Sequence, residues 1–251
     1  MSIKKHIPNF LTCCNLICGC IGIVMAFDGR LEWAAYLIFI ACVFDFFDGF
    51  AARLLHVASP IGKELDSMAD MVSFGLLPGI IIFEMTNVEY MVSECFSNNS
   101  ENGFQGIYSY AWILIPVFSA LRLAKFNIDE RQSSSFIGLP TPANAVFIAS
   151  LPLIIISTSN THIMQLVANK NTLIAMTVIL SYLLVSPIAL FALKFKNFSW
   201  NENKIRYIFL ISSLLLFIVF KFIAIPIIII LYIILSLLEN NIFKGVPGGK
   251  S

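Results

Sequence analysis

Long apolar runs are the feature of this sequence that most constrains its fold. A helix needs about 20 mostly apolar residues to cross the hydrocarbon core of a bilayer, and its backbone polar groups must then be satisfied within the helix itself. Eight stretches of about that length follow one another, near residues 9–27, 32–55, 66–87, 107–126, 142–158, 172–194, 205–220 and 222–239. The sequence therefore predicts an all-α, polytopic membrane helix bundle with about eight transmembrane helices.

The composition agrees with a membrane protein and excludes several other classes. Hydrophobic residues make up 58% of the chain and charged residues 12%, against roughly a quarter charged in soluble domains. The net charge of +1 provides no basic field for nucleic acid, so no nucleic-acid partner is expected. The last two runs are interrupted only around Lys221 and Pro226, which predicts a tight hairpin and leaves seven helices as the alternative count.

Basic residues predict how the bundle is oriented, because cytoplasmic loops retain Lys and Arg. With eight spans and a cytoplasmic N-terminus, only Arg30, Lys170 and Lys221 fall on the outer side. The segment 86–105 carries no basic residue and fits the outside. We therefore expect one membrane domain, residues 1–251, with both termini and any site near residues 45–70 facing the cytoplasm.

Four aspartates stand out in the segment DFFDGFAARLLHVASPIGKELDSMAD. Asp45 and Asp48 are three residues apart and Asp66 and Asp70 four apart, so each pair shares a helix face. Ionisable groups inside an apolar span are costly and usually functional. Carboxylates gathered in one pocket would repel one another unless divalent cations join them, and oxygen ligands favour Mg²⁺ or Mn²⁺. Two such ions can clamp the attacking and leaving oxygens of a phosphoryl group.

Small and basic residues between the aspartates fit the same chemistry. Gly49 and Gly62 allow close approach of a ligand or of backbone, and Ala52 keeps the face beyond Asp48 open. Arg53 can bind either a diphosphate oxygen or a carboxylate of the protein itself through two donors.

The spacing D-x2-D-G-x2-A-R-x8-G-x3-D-x3-D resembles the signature of the CDP-alcohol phosphatidyltransferase family, and all eight of its fixed positions are matched. In that family an alcohol hydroxyl attacks the phosphate of CDP-diacylglycerol and CMP leaves. The resemblance implies a six-helix catalytic core at about 1–195, with two extra helices at about 205–239. It also implies a homodimer among membrane lipids, in a bacterial inner or plasma membrane.

The resemblance further implies roles for individual residues. The four aspartates Asp45, Asp48, Asp66 and Asp70 would hold two metal ions, and Asp70 would also act as general base. CDP-lipid-binding positions would be Asn9 and Thr12, in the block PNFLT, together with Gly49, Ala52, Arg53, Ser59 and Gly62.

Three further segments, SALRLAKFN, FIGLPTPANA and PNFLTCCN, resemble the branch of the family whose acceptor is L-serine. The carboxylate of serine needs a cation, and Arg122 and Lys125 stand at the cytoplasmic end of the fourth span. Both also fit ordinary anchoring at the membrane surface. Thr141 and Asn144 fit either the same pocket or helix capping.

Two alternative functions would require other features in the sequence. Glycerol phosphate or inositol phosphate as acceptor would call for a denser basic cluster than Arg122, Lys125 and Arg131 provide. A cation transporter would also place carboxylates at membrane depth. The chain, however, has no evident inverted repeat, and its charges gather at one face of the membrane.

Overall fold

The structure, a computed structural model, describes residues 6–57, 59–96, 110–128, 135–191 and 200–244. Its main elements are helices and two short strands: α1 (His6–Phe27), α2 (Leu31–Leu54), α3 (Pro60–Asp70), α4 (Leu77–Phe96), α5 (Leu114–Ile128), β1 (Ser135–Ile137), α6 (Thr141–Ser157), α7 (Thr161–Ala168), α8 (Lys170–Val185), β2 (Ala189–Phe191), α9 (Trp200–Phe220) and α10 (Ala224–Lys244). A π-helical segment, Met71–Leu76, joins α3 to α4. The predicted all-α bundle is confirmed.

The helices account for the predicted spans. Five stretches are long and apolar enough to cross a membrane, and the pair α7 and α8, bent by 60°, supplies a sixth. Helix α6 is apolar but shorter, and the longest stretch, Asn203–Glu239, folds back on itself. Arg206 Nη1 lies 3.5 Å from Glu239 Oε1, whereas one straight helix would hold the two residues about 50 Å apart at 1.5 Å per residue. This stretch is therefore the predicted hairpin, and it turns at Lys221, where φ is +51°.

Helix α1 packs closely against α3, the π-helical segment and α4. Two glycines make this approach possible. A Cβ on Gly19 would lie 2.5 Å from Ser73 Oγ and 3.0 Å from Ser73 Cα, and one on Gly22 would lie 2.5 Å from the Leu77 side chain. Small residues allow membrane helices to approach in this way. The polar residues of α1 are thereby held against the helix that carries Asp66 and Asp70.

A tight connection brings the end of α2 next to the start of α3. His56 adopts a φ of +52°, and the amides of His56 and Val57 donate to the carbonyls of Arg53 and Ala52. This pattern is a Schellman ending. Ser59 then caps α3 by accepting from the amide of Gly62 at 3.1 Å, which is why the helix begins before residue 66, where the third apolar stretch starts.

The predicted sixth span, 172–194, was wrong at its C-terminal end. Helix α8 ends at Val185, and β2 pairs with β1 in antiparallel register, with Phe136 opposite Leu190. The short helix α7 was not predicted. Asn160 and Asn169 cap α7 and α8 through their side chains, so each starts a helix, and the bend between the two helices falls at Asn169.

Helix α6 lies at the centre of the bundle. Eleven of its 17 residues are buried, among them Phe147, Ile148 and Leu151. Helix α9 instead leaves Leu214, Ile218 and other large apolar side chains exposed, as a lipid-facing helix does.

Candidate active site

Three of the four predicted aspartates meet where α2 faces α3. Carboxylate oxygens of Asp45, Asp48 and Asp66 all lie within 4.8 Å of one another. Asp48 is buried, and Asp45 and Asp66 are half-buried. The helix faces predicted from the sequence therefore do bring carboxylates of α2 and α3 together at one point.

The environment of these carboxylates fits a divalent cation. Thr12 donates a hydrogen bond of 2.6 Å to Asp48 Oδ2. Asp66 Oδ1 is buried and has no hydrogen-bond partner among the described residues. Three carboxylates gathered this closely, one of which has a buried oxygen without a partner among the described residues, are the kind of ligand set that a hard divalent ion such as Mg²⁺ prefers.

Asp70 lies one turn deeper and is held separately. Its Oδ1 accepts a hydrogen bond of 3.1 Å from Asn15 Nδ2, and its side chain is 7% exposed. Asn15 is itself fixed, because Ser73 donates to its backbone carbonyl at 2.9 Å. Asn15 was not predicted as a site residue. The available signal was its position one turn after Thr12, as an amide in an apolar run.

All seven predicted CDP-lipid-binding residues line one cleft of about 260 Å³. They are Asn9, Thr12, Gly49, Ala52, Arg53, Ser59 and Gly62, and Asp48 and Asp66 stand in the same wall. A Cβ on Gly62 would lie 3.2 Å from Asn9 Oδ1, whereas one on Gly49 would meet only Arg53, at 3.6 Å. Gly62 thus keeps α1 and α3 together, and Gly49 keeps the cleft open.

Lys63 also lines this cleft, and sequence reasoning missed it. Its Nζ donates to the carbonyl of Asn127 at 2.8 Å, and Asn127 Nδ2 donates to Ser67 Oγ at 2.9 Å. These bonds tie α3 to the end of α5. Lys63 therefore adds a positive charge to the wall that Arg53 also lines.

Of the two predicted acceptor residues, only Arg122 lies inside the bundle. It is 8% exposed, its Nη1 donates to Thr141 Oγ1 at 2.7 Å, and its charge interacts with that of Asp70. Lys125 is exposed. The structure thus places a buried cation within electrostatic range of Asp70.

A second cavity, of about 720 Å³, lies at the opposite end of the bundle. Its wall includes Leu31, Met85, Pro152 and Ile156, with Glu32 as the carboxylate in this mainly apolar lining. Among the described residues, the cluster able to hold a metal is the one formed by Asp45, Asp48 and Asp66. The smaller cleft, which contains these carboxylates, is therefore the candidate active site.

Comparison with known proteins agrees with this geometry. The family model described as CDP-alcohol phosphatidyltransferase matches residues 5–238. The CDP-diacylglycerol–serine O-phosphatidyltransferase of Bacillus subtilis is 32% identical over 190 residues, 73% of this chain and 89% of that protein. The protein of the same name from Helicobacter pylori is 30% identical over 210 residues, 82% and 80% of the two chains. An archaetidylserine synthase of Methanothermobacter thermautotrophicus is 32% identical over 152 residues, 59% and 58% of the two chains. With a family model that covers almost its whole length, and with the aspartates of the signature gathered at one cleft, the chain belongs to the CDP-alcohol phosphatidyltransferase family.

Proposed function

We propose that this membrane enzyme transfers the phosphatidyl group of CDP-diacylglycerol to the hydroxyl of L-serine, giving phosphatidylserine and CMP. The observation that carries the proposal is one cleft that combines clustered carboxylates with all seven predicted CDP-lipid-binding residues. The relatives from Bacillus subtilis and Helicobacter pylori are named for serine and CDP-diacylglycerol, which supports serine as the acceptor.

The cleft would bind the CDP part of the lipid. Arg53 and Lys63 stand in its wall, where their charges suit the diphosphate. Asn9, Thr12 and Ser59 offer polar groups to the nucleotide, while the open face at Gly49 and Ala52 leaves room for the diphosphate. The acyl chains would remain among membrane lipids beside the helices.

Asp45, Asp48, Asp66 and Asp70 would hold two divalent ions, Mg²⁺ or Mn²⁺. When bound, such ions neutralise the diphosphate and favour departure of CMP. Thr12 holds Asp48 in place through its hydrogen bond. Asp66 Oδ1, buried without a hydrogen-bond partner among the described residues, would supply a further ligand.

Asp70 would remove the proton from the serine hydroxyl as that oxygen attacks the lipid-bearing phosphate. A new P–O bond to serine then forms, and the P–O bond to CMP breaks. Asn15 occupies Asp70 Oδ1, which leaves the second oxygen to accept the proton. Arg122, beside Asp70, would neutralise the serine carboxylate. Lys125, although exposed, would attract the same charge from the surface.

We place the enzyme in the inner or plasma membrane of a bacterium, with its termini and active site on the cytoplasmic side. The basic residues around the cleft end of the bundle support that orientation. The family resemblance supports one domain, with a core of about 1–195 followed by the hairpin, and a homodimer.

The test is to supply the purified full-length protein with CDP-diacylglycerol and a divalent ion, together with serine, glycerol phosphate or inositol phosphate. Of the three acceptors, we expect only serine to give a new lipid, with one CMP released for each lipid formed. Asp70→Asn should lower kcat by about 10³-fold or more, since it removes the base and a ligand. Glu84→Gln, which changes a half-buried carboxylate on α4, is the matched control and should leave kcat unchanged.

Other outcomes would overturn the proposal. Efficient use of glycerol phosphate or inositol phosphate in place of serine would show that the acceptor is wrong. Metal-dependent ion flux through reconstituted protein without release of CMP would favour a transporter instead.

A further inference from the structure

Asn144 is a buried residue whose side-chain amide forms no hydrogen bond with any described residue. It lies in the first turn of α6 and is 0% exposed. Neither Nδ2 nor Oδ1 has a hydrogen-bond partner among the described residues. Burying an amide without partners is costly, and its capping alternative is not realised, because no side chain caps α6.

The surroundings of Asn144 point towards the acceptor end of the active site. Asn144 lies one turn beyond Thr141, which accepts the hydrogen bond from the buried Arg122. The first turn of α6 is therefore at the depth of Arg122, whose charge interacts with Asp70. Helix α6 also packs against the π-helical segment that directly follows Asp70.

Other unused polar atoms belong to the same region. Arg122 Nε and Ser119 Oγ are buried without partners among the described residues. Ser119 lies one turn before Arg122. It packs closely against the π-helical segment, since a Cβ added to Gly75 would lie 3.2 Å from the Cβ of Ser119. Unused donors and acceptors thus lie on the parts of α5 and α6 that the Arg122–Thr141 hydrogen bond joins. A small ligand with both cationic and anionic groups would satisfy them together.

We propose that Asn144 recognises the α-ammonium group of the acceptor amino acid, with Oδ1 accepting from the ammonium, while Arg122 binds the α-carboxylate. The inference rests on the proposed function and deepens it. The pair selects an acceptor that carries both charges, so ethanolamine lacks a partner for Arg122 and 3-hydroxypropionate lacks one for Asn144. A site built to hydrogen-bond a group rejects the analogue that lacks it, because its own buried polar atoms are then left unpaired.

The test compares the affinity for serine with the affinity for its amine-free analogue in the full-length protein. The KM for serine and the inhibition constant of 3-hydroxypropionate are measured in the CMP-release assay for wild type, Asn144→Ala and Asn144→Asp. We expect Asn144→Ala to raise the serine KM about 10- to 100-fold, as loss of one buried hydrogen bond to a charged group would. The inhibition constant should change far less. Asn144→Asp keeps an oxygen for the ammonium and should retain the preference for serine.

A matched control and a binding measurement separate recognition from a structural role. Ser150→Ala alters another fully buried polar residue of α6, one whose hydroxyl already donates to the Phe147 carbonyl, and it should leave both constants unchanged. Serine should also raise the thermal midpoint of wild type and Asn144→Asp in the presence of CMP, and not that of Asn144→Ala.

Equal loss of affinity for serine and 3-hydroxypropionate in Asn144→Ala would overturn the inference and leave serine as the acceptor. A wild-type enzyme that forms no serine lipid would instead overturn the proposed function, and this inference with it.

Discussion

At the scale of single residues, the site depends on how each carboxylate is held. Asp48 is fixed by Thr12 and Asp70 by Asn15, and both of these partners lie on α1. The aspartates were predictable because ionisable side chains inside an apolar run are energetically costly and are usually functional. Asn15 was not, because a neutral amide in a helix contacting other helices has many structural uses, and only the fold shows that it faces Asp70.

Asn15→Ala should lower kcat by about 10- to 100-fold, the usual effect of losing a partner that orients a catalytic carboxylate. The KM for CDP-diacylglycerol should remain near that of wild type, because Asn15 is not in the wall of the cleft. Steady-state kinetics of CMP release measures both. A rise in KM at unchanged kcat would assign Asn15 to substrate binding instead.

Asp66→Asn should abolish stabilisation of the protein by divalent ions. An ion at 100 times its Kd stabilises a folded protein by about 2.7 kcal/mol, and Asp66 provides the buried, unpartnered oxygen of the cluster. The thermal midpoint is followed by tryptophan fluorescence with and without Mn²⁺. Arg30→Ala, at the opposite end of α2, should keep the wild-type shift; loss of the shift there as well would argue for a nonspecific effect.

At the scale of elements, hydropathy predicted the spans better than the breaks between them. It measures how apolar a stretch is and carries no information about the direction of a helix, so the bend at Asn169 and the strand after Val185 were missed. The two short strands are stabilised by contacts distant in sequence. Tyr232 on α10 donates to the Phe191 carbonyl at 2.7 Å, and the amide of Phe191 donates to Ser236.

The hairpin of α9 and α10 thus stabilises, through the two strands, the start of α6, where we propose that the acceptor binds. Because β2 pairs with β1, and β1 leads into the first turn of α6, Tyr232→Phe should loosen the position of Asn144. We expect a loss of about 0.5 to 1.5 kcal/mol of stability, the usual value of a hydrogen bond, and a severalfold higher KM for serine. Thermal unfolding and the acceptor assay test this. Tyr182→Phe, on the exposed face of α8, should change neither quantity.

At the scale of the whole molecule, the polar cleft and the apolar cavity occupy opposite ends of the bundle. In the orientation that we propose from the distribution of Lys and Arg, the cleft end faces the cytoplasm. That orientation would place the proposed reaction on the leaflet where water-soluble serine and CMP are available. The orientation stays a prediction that depends on counting charges. The packing of α6 at the centre was not predicted, since the apolar pattern of this helix is uniform.

Cysteine labelling can test the orientation. With the six native cysteines changed to alanine, Asp28→Cys and Lys204→Cys each introduce one exposed thiol, at opposite ends of the bundle. A membrane-impermeant maleimide added to intact cells should label position 28 alone, and position 204 should react only after the membrane is permeabilised. Labelling in the reverse order would show that the bundle is inverted.

The π-helical segment determines how the chain tolerates changes in length. Residues 71–76 accommodate a wider turn between the aspartates of α3 and the part of α4 that packs in the core. Each residue of an α-helix turns the chain by about 100°, so removal of one residue here would rotate Asp66 and Asp70 away from α2 while α4 kept its packing. Such a shortened protein would still insert and fold, but without a working metal site. Insertion of one residue after residue 244 would leave the orientation of Asp66 and Asp70 towards α2 unchanged.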